Sequence, residues 1–324
     1  MAEGYFWLQA PDNDGGDADA DRRVVGRPAY VEHPRLGWVL PPDTTWTERK
    51  VIGSDVIYEA TYTTDTHGLR IATGDTEGSD PCVLFFGGSY TFGTGVNDGE
   101  TMPAQVAEIS GNRVINFGVP GYGPHQMLAA LETGFVDDVV DCTPSHAVYQ
   151  GLNDHMARAA GKRLYGITGP RYVLLDDGSV RADGQFNDGR AEPSALQTFL
   201  GRSFVYQAIA GSATDITAED VERYMALIDA SRKLLEERYP GIDFYVLQWG
   251  TRYHEQLDRF PSMGFGFSYV DEVLEDFDNK HERHMISPHE HHPTPATHRE
   301  IADFVVRTVL AGGTADGEST GRRD

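Results

Sequence analysis

Cysteine, lysine and long apolar runs are all scarce in this chain of 324 residues. Two cysteines, Cys82 and Cys142, are too few for a disulfide framework or a thiolate-rich metal site. We expect two reduced thiols. A structural disulfide is the alternative, because each cysteine lies shortly before a predicted strand and the two could be neighbours in space. No run of about 18 apolar residues is present, which excludes a membrane-spanning helix. No basic segment followed by an apolar stretch opens the chain, so we expect no signal peptide and, by default, a cytoplasmic location.

Basic charge is scarce as well. The chain has 27 Lys+Arg against 50 Asp+Glu, which gives a net charge of −23 at pH 7. This field repels phosphate backbones and anionic lipids, so neither nucleic acid nor a membrane surface is an expected partner. Only four residues are lysines, a composition that suits high salt or reflects GC-rich codon usage, and the sequence leaves both open. With 40% apolar residues the chain can fill a core, and we expect a monomer.

The chain divides into a polar start, a β-rich stretch, a long α/β stretch and a polar end. Residues 1–27 and 313–324 are too polar to bury much surface and are predicted to be disordered. Residues 28–79 alternate in part between apolar and polar side chains, which predicts a small β-rich N-terminal extension. Residues 80–312 form the main domain, and residues 155–215 interrupt it as an insertion.

Strands and helices alternate within the main domain. Short apolar runs predict four buried strands, at residues 83–86, 114–117, 146–150 and 243–249. Capped amphipathic segments predict four helices, at residues 101–110, 124–135, 217–239 and 294–310. A hairpin is predicted inside the insertion, near residues 172–180. Strand, loop and helix in repetition are typical of βαβ units, which predicts an α/β fold around a parallel sheet.

Three blocks of polar and glycine residues follow predicted strands, at the edge where open parallel sheets bind ligands. The first block, GGSYTFG at 87–93, turns sharply at its glycines and presents Ser89. It lacks the Gly-Lys-Ser/Thr of a phosphate loop and the second glycine of a nucleophile elbow. A glycine of the second block, NFGVPGYG at 116–123, can donate its backbone N–H to an oxyanion. Asn153 in the third block, GLND at 151–154, can donate its side-chain amide to the same atom.

The fourth block, HEHHPTP at 289–295, places histidines and an acid just before the last helix. His292 can accept a proton from a serine, while Glu290 holds its tautomer. A zinc motif HExxH that begins at His289 fails, because Pro293 stands where its second histidine belongs. The other histidines between residues 281 and 298 show no regular ligand spacing. We therefore expect them at the surface and predict no metal site and no cofactor.

Serine, glycine, asparagine and histidine in this order, each at its expected structural place, resemble the SGNH hydrolase superfamily, also called GDSL esterases and lipases. The resemblance runs from about residue 80 to residue 311. It implies a flavodoxin-like three-layer α/β/α fold with a five-stranded parallel sheet. It also implies that Ser89 is the nucleophile and His292 the base. The oxyanion hole would consist of the backbone N–H groups of Ser89 and Gly121 and the amide of Asn153.

Three features depart from the family's pattern. Gly88 stands where the family's first block has aspartate. Glu290 stands where the last block has aspartate, and its extra methylene changes the geometry by which an acid would orient His292. The N-terminal extension and the insertion at 155–215 have no counterpart in the minimal family.

These residues predict a serine esterase that cleaves carboxylic esters, short-chain or acetyl, through an acyl-enzyme on Ser89. The expected substrate is an ester of a small molecule or a glycan. One alternative is an O-acyltransferase, which would pass the acyl group to a hydroxyl of a glycan or small molecule from the same Ser-His site. The other is a catalytically degenerate binding module, which the departures at Gly88 and Glu290 would mark.

Overall fold

The computed structural model describes residues 22–72, 80–163, 166–189, 216–274, 276–277 and 281–312. The predicted disordered start lies outside the described residues as far as residue 21, but a strand already begins at Arg22. The polar tail at 313–324 and residues 190–215 of the insertion also lie outside the described residues.

The β-strands of the described residues fall into an N-terminal group and a main-domain group. They are β1 Arg22–Val25, β2 Val31–His33, β3 Gly37–Val39, β4 Thr45–Ile52, β5 Asp55–Thr63, β6 Cys82–Gly87, β7 Arg113–Asn116, β8 Pro144–Leu152, β9 Pro170–Leu174, β10 Val180–Gln185, β11 Asp243–Trp249, β12 Gly266–Tyr269, β13 Met285–Ser287 and β14 Glu290–Pro293. The predicted hairpin in the insertion is β9 and β10, which pair antiparallel.

The α-helices of the described residues all follow β6. They are α1 Ser89–Phe92, α2 Met102–Ser110, α3 Pro124–Glu132, α4 Phe135–Val139, α5 Asn153–Ala159, α6 Ala218–Arg238, α7 His254–Leu257, α8 Val270–Val273, α9 His281–His284 and α10 Pro295–Phe304. Short 3-10 turns lie at Asp98–Glu100 and Pro261–Met263, and a π-helical turn at Val305–Leu310 continues α10. None of these described helices has the length and apolar composition needed to cross a membrane.

The main domain is built on a five-stranded sheet in the order β12-β11-β8-β6-β7. Each neighbouring pair in this sheet is parallel. The central strand pairs place Phe86 opposite Tyr149, and Leu247 opposite Gln150. The predicted α/β fold with a five-stranded parallel sheet is therefore confirmed, and the predicted β-rich extension consists of small antiparallel strand pairs near the N-terminus.

Helices cover both faces of this sheet, and β6, one of its interior strands, is therefore buried along its whole length. Successive side chains of a strand point to opposite faces. Leu84 and Phe86 accordingly pack with α3 and α6 on one side, while Val83 and Phe85 pack with α2 and α10 on the other.

The second of the helices shows how the sequence sets its ends. Thr101 caps α2, its side chain accepting a hydrogen bond from the Ala104 N–H. Gly111 ends the helix in the left-handed conformation, at φ 70°. Both ends agree with the prediction for residues 101–110.

The N-terminal extension consists of an antiparallel sheet in the order β1-β4-β5 and the hairpin β2-β3. Leu36, Trp38 and Tyr62 of the extension are buried in the same apolar cluster as Phe86 of the central sheet. The extension thus shares a core with the main domain.

Cys82 and Cys142 are joined by a disulfide, so the expectation of two reduced thiols is wrong. Cys82 opens β6, whose first residue lies opposite Pro144 at the start of the neighbouring β8. The Cys82 N–H donates to the carbonyl of Thr143, at 3.1 Å. This pairing brings the two cysteine Cα atoms to 6.1 Å although they are 60 residues apart in the chain. The strand register, which the separate cysteine positions do not reveal, makes the bridge feasible.

Candidate active site

Ser89 lies at the turn between the central strand and a very short helix. β6 ends at Gly87, and Ser89 is the first residue of α1, with 9% of its surface exposed. A side chain at Gly87 has no room, since a Cβ there would lie 2.2 Å from Thr91 Oγ1 and 2.9 Å from the Gln150 carbonyl oxygen. The glycine allows the tight strand exit that places Ser89 at the C-terminal edge of the sheet.

Gly88, the residue before Ser89, is enclosed on three sides. A Cβ at this position would lie 2.8 Å from His155 Nε2, 2.9 Å from Arg158 Nη1 and 3.0 Å from the Tyr122 carbonyl oxygen. Burial, and then the charge of Arg158, hold the pKa of His155 well below its usual range, so this imidazole is neutral. The departure at Gly88 is therefore a steric consequence of the residues on α5 and on the loop after β7.

The second block is tied to the first by Asn116, the last residue of β7. Asn116 Nδ2 donates to the carbonyl of Thr91 at 3.1 Å, while its Oδ1 accepts from the Gly118 N–H at 2.9 Å. Gly121 has φ 88° and directly precedes Tyr122, whose carbonyl lies beside Gly88. The loop that carries the Gly121 N–H is thus held against the loop that carries Ser89.

Asn153 begins α5 immediately after β8, one strand away from Ser89 in the sheet. Its Oδ1 accepts a hydrogen bond from Gln248 Nε2 at 3.4 Å, and Gln248 Oε1 accepts one from Tyr224 at 2.6 Å. The amide also lies against Gly250, where a Cβ would come within 2.5 Å of Asn153 Nδ2. The neighbouring strand β11 therefore orients this side chain, leaving Nδ2 as the donor end.

His292 and Glu290 lie two residues apart on β14 and are hydrogen-bonded through His292 Nδ1 and Glu290 Oε1. A glutamate has one methylene more than an aspartate, and at this position it still brings Oε1 to the imidazole. Glu290 is 1% exposed, and its other oxygen, Oε2, lies 2.5 Å from Lys50 Nζ. Burial would raise the pKa of Glu290, but His292 and then Lys50 outweigh it and hold that pKa well below its usual range. The carboxylate is ionised and can stabilise an imidazolium at His292.

Tyr90 brings the histidine to the serine. Its hydroxyl donates to the carbonyl of His291, and its ring centroid lies 5.2 Å from that of His292. On its other side Tyr90 meets Trp249 edge-on, at 5.0 Å. Tyr90 directly follows Ser89 in the chain, so this ring contact links the serine turn to β14.

Two histidines of the C-terminal cluster are core residues, so the expectation that they lie at the surface is wrong. His284 and His298 are both fully buried. His298 Nδ1 accepts a hydrogen bond from the Met102 N–H at 3.1 Å. Burial, followed by the charges of Arg70 and His292, lowers the pKa of His298 to about 3. In the part of the chain that the structure describes, no three His, Cys, Asp or Glu side chains are grouped to hold a metal ion.

The extension supplies three contacts to this site that sequence reasoning missed. Arg70 donates to the carbonyl oxygens of Phe92 and Gly93 at the end of α1, at 2.8 and 2.5 Å. Trp38 Nε1 donates to the Pro120 carbonyl of the second block, at 3.3 Å. Lys50 pairs with Glu290, as described above. The sequence pattern of the extension predicts β structure but does not indicate these three contacts.

No protein-family profile and no curated protein sequence matches this chain. Solved structures are similar to it at low identity. A protein from Desulfitobacterium hafniense DCB-2, named as lipolytic and of the G-D-S-L family, is 14% identical with a TM-score of 0.41, over 70% of this chain and 98% of its own. AlinE4, an SGNH-hydrolase family esterase, is 18% identical with a TM-score of 0.33, over 74% and 99%. An acetyl xylan esterase from the rumen bacterium Butyrivibrio proteoclasticus is 11% identical with a TM-score of 0.38, over 71% and 64%.

Proposed function

We propose that this chain is an SGNH-type hydrolase that cleaves short-chain or acetyl carboxylic esters of a small molecule or a glycan, with Ser89 as nucleophile. The observation that carries the proposal is the hydrogen bond between the buried Glu290 and His292, whose ring packs against Tyr90, the residue after Ser89. A carboxylate that fixes an imidazole beside a serine at a sheet edge is suited to acyl transfer.

In the proposed reaction, Ser89 Oγ attacks the ester carbonyl carbon while His292 Nε2 takes the hydroxyl proton. Glu290 Oε1 keeps the proton on His292 Nδ1 and stabilises the imidazolium. The negative oxygen of the tetrahedral intermediate receives hydrogen bonds from the Ser89 and Gly121 N–H groups and from Asn153 Nδ2. Each such donor is worth about 2.7–4 kcal/mol of barrier.

The intermediate collapses when the alcohol leaves with the proton from His292, and the acyl group remains on Ser89. Water then attacks the acyl-enzyme, His292 accepts its proton and returns one to Ser89 Oγ, and the carboxylic acid departs. No metal or cofactor takes part in the proposed steps.

A second arrangement of a serine, a histidine and an acid in the chain provides a control. Ser145 Oγ lies 2.9 Å from His146 Nδ1, and His146 Nε2 lies 3.8 Å from Asp243 Oδ2. These residues lie at the start of β8 and β11, at the sheet edge opposite the one where parallel sheets bind ligands. The side chain of Asp243 is 81% exposed, against 1% for Glu290, so solvent screens it. We expect Ser145 to be unreactive.

The test is intact-mass spectrometry after exposure to a fluorophosphonate probe, with Ser89→Ala and Ser145→Ala beside the wild type. One stoichiometric adduct on the wild type and on Ser145→Ala, with none on Ser89→Ala, is the expected result. Hydrolysis of acetyl and longer acyl esters should disappear with the same variant. An adduct that survives Ser89→Ala would overturn the assignment of the nucleophile. A folded wild type that takes no adduct and cleaves no ester would favour a binding module instead.

A further inference from the structure

The ion pair between Lys50 and Glu290 joins two residues 240 positions apart in the sequence. Their side chains are only 2% and 1% exposed, and Nζ and Oε2 are 2.5 Å apart. Burying two charges costs several kcal/mol each and is offset only by close pairing with further hydrogen bonds. A buried pair of this kind is therefore a poor source of stability. Its position beside His292 indicates a role in function instead.

β4 is built to deliver this lysine to the interior. Along β4 Glu48 and Lys50 both face inward, while Thr47 and Arg49 between them are exposed. Glu48 has partners of its own: Arg27 donates to both of its oxygens, at 2.7 and 2.9 Å. Lys50 is thus the extension's cation directed at Glu290.

We propose that Lys50 is a positioning residue for the catalytic acid. The inference rests on the proposed function for its catalytic meaning. Glu290 has two carboxylate oxygens, and each has its own partner: Lys50 holds Oε2, and His292 Nδ1 meets Oε1. Contacts at both oxygens fix the rotamer of a side chain that is one methylene longer than the family's aspartate. The N-terminal extension thereby completes the active site.

Removing the lysine charge should impair the acid without touching substrate. In Lys50→Met the carboxylate loses its Oε2 partner, becomes easier to protonate and can rotate away from His292. We expect kcat for ester hydrolysis to fall about 10–100-fold, the usual effect of losing a group that orients a functional histidine, with KM nearly unchanged. The matched control is Lys162→Met, which breaks another lysine–carboxylate pair of 2.5 Å, with Asp220 in the first turn of α6. It should keep the wild-type kcat.

A double-mutant cycle separates positioning from a general effect on folding. Lys50 acts through Glu290, so Lys50→Met should lower kcat no further once Glu290→Gln is present. The double variant carries neither buried charge and remains measurable if Lys50→Met alone does not fold. Additive losses in the cycle, or a folded Lys50→Met with wild-type kcat, would overturn the inference.

A spectroscopic readout keeps this inference distinguishable from the proposed function. The proton on His292 Nδ1, shared with Glu290, should give a downfield resonance in the ¹H NMR spectrum in water, identified by its absence in His292→Gln. We expect Lys162→Met to keep this resonance and Lys50→Met to lose it or move it upfield. If the resonance depends on Lys50 but no ester is cleaved, the proposed function fails and the positioning role stands. An unchanged resonance in folded Lys50→Met refutes the positioning role whatever the activity.

Discussion

At the scale of single residues, the space around Gly88 leaves no room for a side chain. Its φ of −100° is open to any residue, but a Cβ would meet His155, Arg158 and the Tyr122 carbonyl within 3.0 Å. We expect Gly88→Ala to lower the free energy of unfolding by about 1–3 kcal/mol through overpacking. Gly88→Asp, which adds a larger and charged side chain, should cost more.

Urea unfolding measures this effect, with Gly166→Ala as the control. A Cβ at Gly166 has no atom within 4 Å, so that variant should match the wild type within a few tenths of a kcal/mol or exceed it. If Gly88→Ala were as stable as Gly166→Ala, the steric explanation for glycine at position 88 would be wrong.

Glu290 predicts a particular sensitivity to acid. Its pKa in the folded chain lies below the value of about 4.3 for an unfolded glutamate. As the pH falls through that value, the unfolded chain takes up the proton first, so acid favours unfolding. The contribution is fully present at neutral pH, and below about pH 4.3 it is lost at up to about 1 kcal/mol per pH unit.

The comparison is urea unfolding of the wild type and of Lys50→Met/Glu290→Gln over a series of acidic pH values. Both variant side chains are uncharged, so the wild type should lose stability more steeply. If the free energy of unfolding fell equally steeply with pH in both proteins, the pKa of Glu290 would not be depressed in the folded chain.

Single residues also show what a sequence can and cannot indicate. Ser89, Asn153, Glu290 and His292 stand in short local patterns, so their candidacy could be read from the chain. Their catalytic roles stay predictions until the serine is labelled. Lys50 could not be found in this way, because its partner lies 240 residues away and a lysine in a strand is ordinarily solvated.

At the scale of elements, α1 depends on Arg70 from outside the helix. Four residues are too few for a helix to be stable alone. The Arg70 side chain is buried and donates to the carbonyls of Phe92 and Gly93 at the end of α1 and to the carbonyl of Val96 in the loop that follows. A planar fork with several donors suits such a cluster of acceptors.

We therefore expect Arg70→Lys to lower the free energy of unfolding by about 2–4 kcal/mol, since an ammonium cannot reach all three carbonyls. Displacement of α1 should also slow labelling of Ser89 by the fluorophosphonate. The control is Arg49→Lys, at an exposed ion pair with Glu59, whose effect should stay below about 1 kcal/mol. Equal losses from the two variants would contradict the role of Arg70.

The elements differ in how far they could be predicted. Apolar runs such as 83–86 revealed four strands of the main sheet, because strands buried on both faces are apolar throughout. The fifth strand, β12, reads GFSY and is too short and too polar to stand out. Resemblance alone supplied its existence, and the register with β11 gives its position.

At the scale of the whole molecule, the extension and the main domain form one body around the site. Trp38 holds the second block, Arg70 the first and Lys50 the fourth. Apolar residues of the extension also share a cluster with the central sheet. Residues 22–72 should consequently unfold with the main domain rather than before it.

Two spectroscopic signals can follow the two parts separately. Three of the four tryptophans precede residue 50, and the α-helices of the described residues all follow Gly88. In Trp249→Phe, fluorescence reports the N-terminal part, while far-ultraviolet circular dichroism reports the helices of the main domain. We expect the two urea transitions to coincide, with one midpoint and one slope. A fluorescence transition at lower urea would mean that the extension unfolds alone, and a folded main domain would then exist without the Lys50 contact to Glu290.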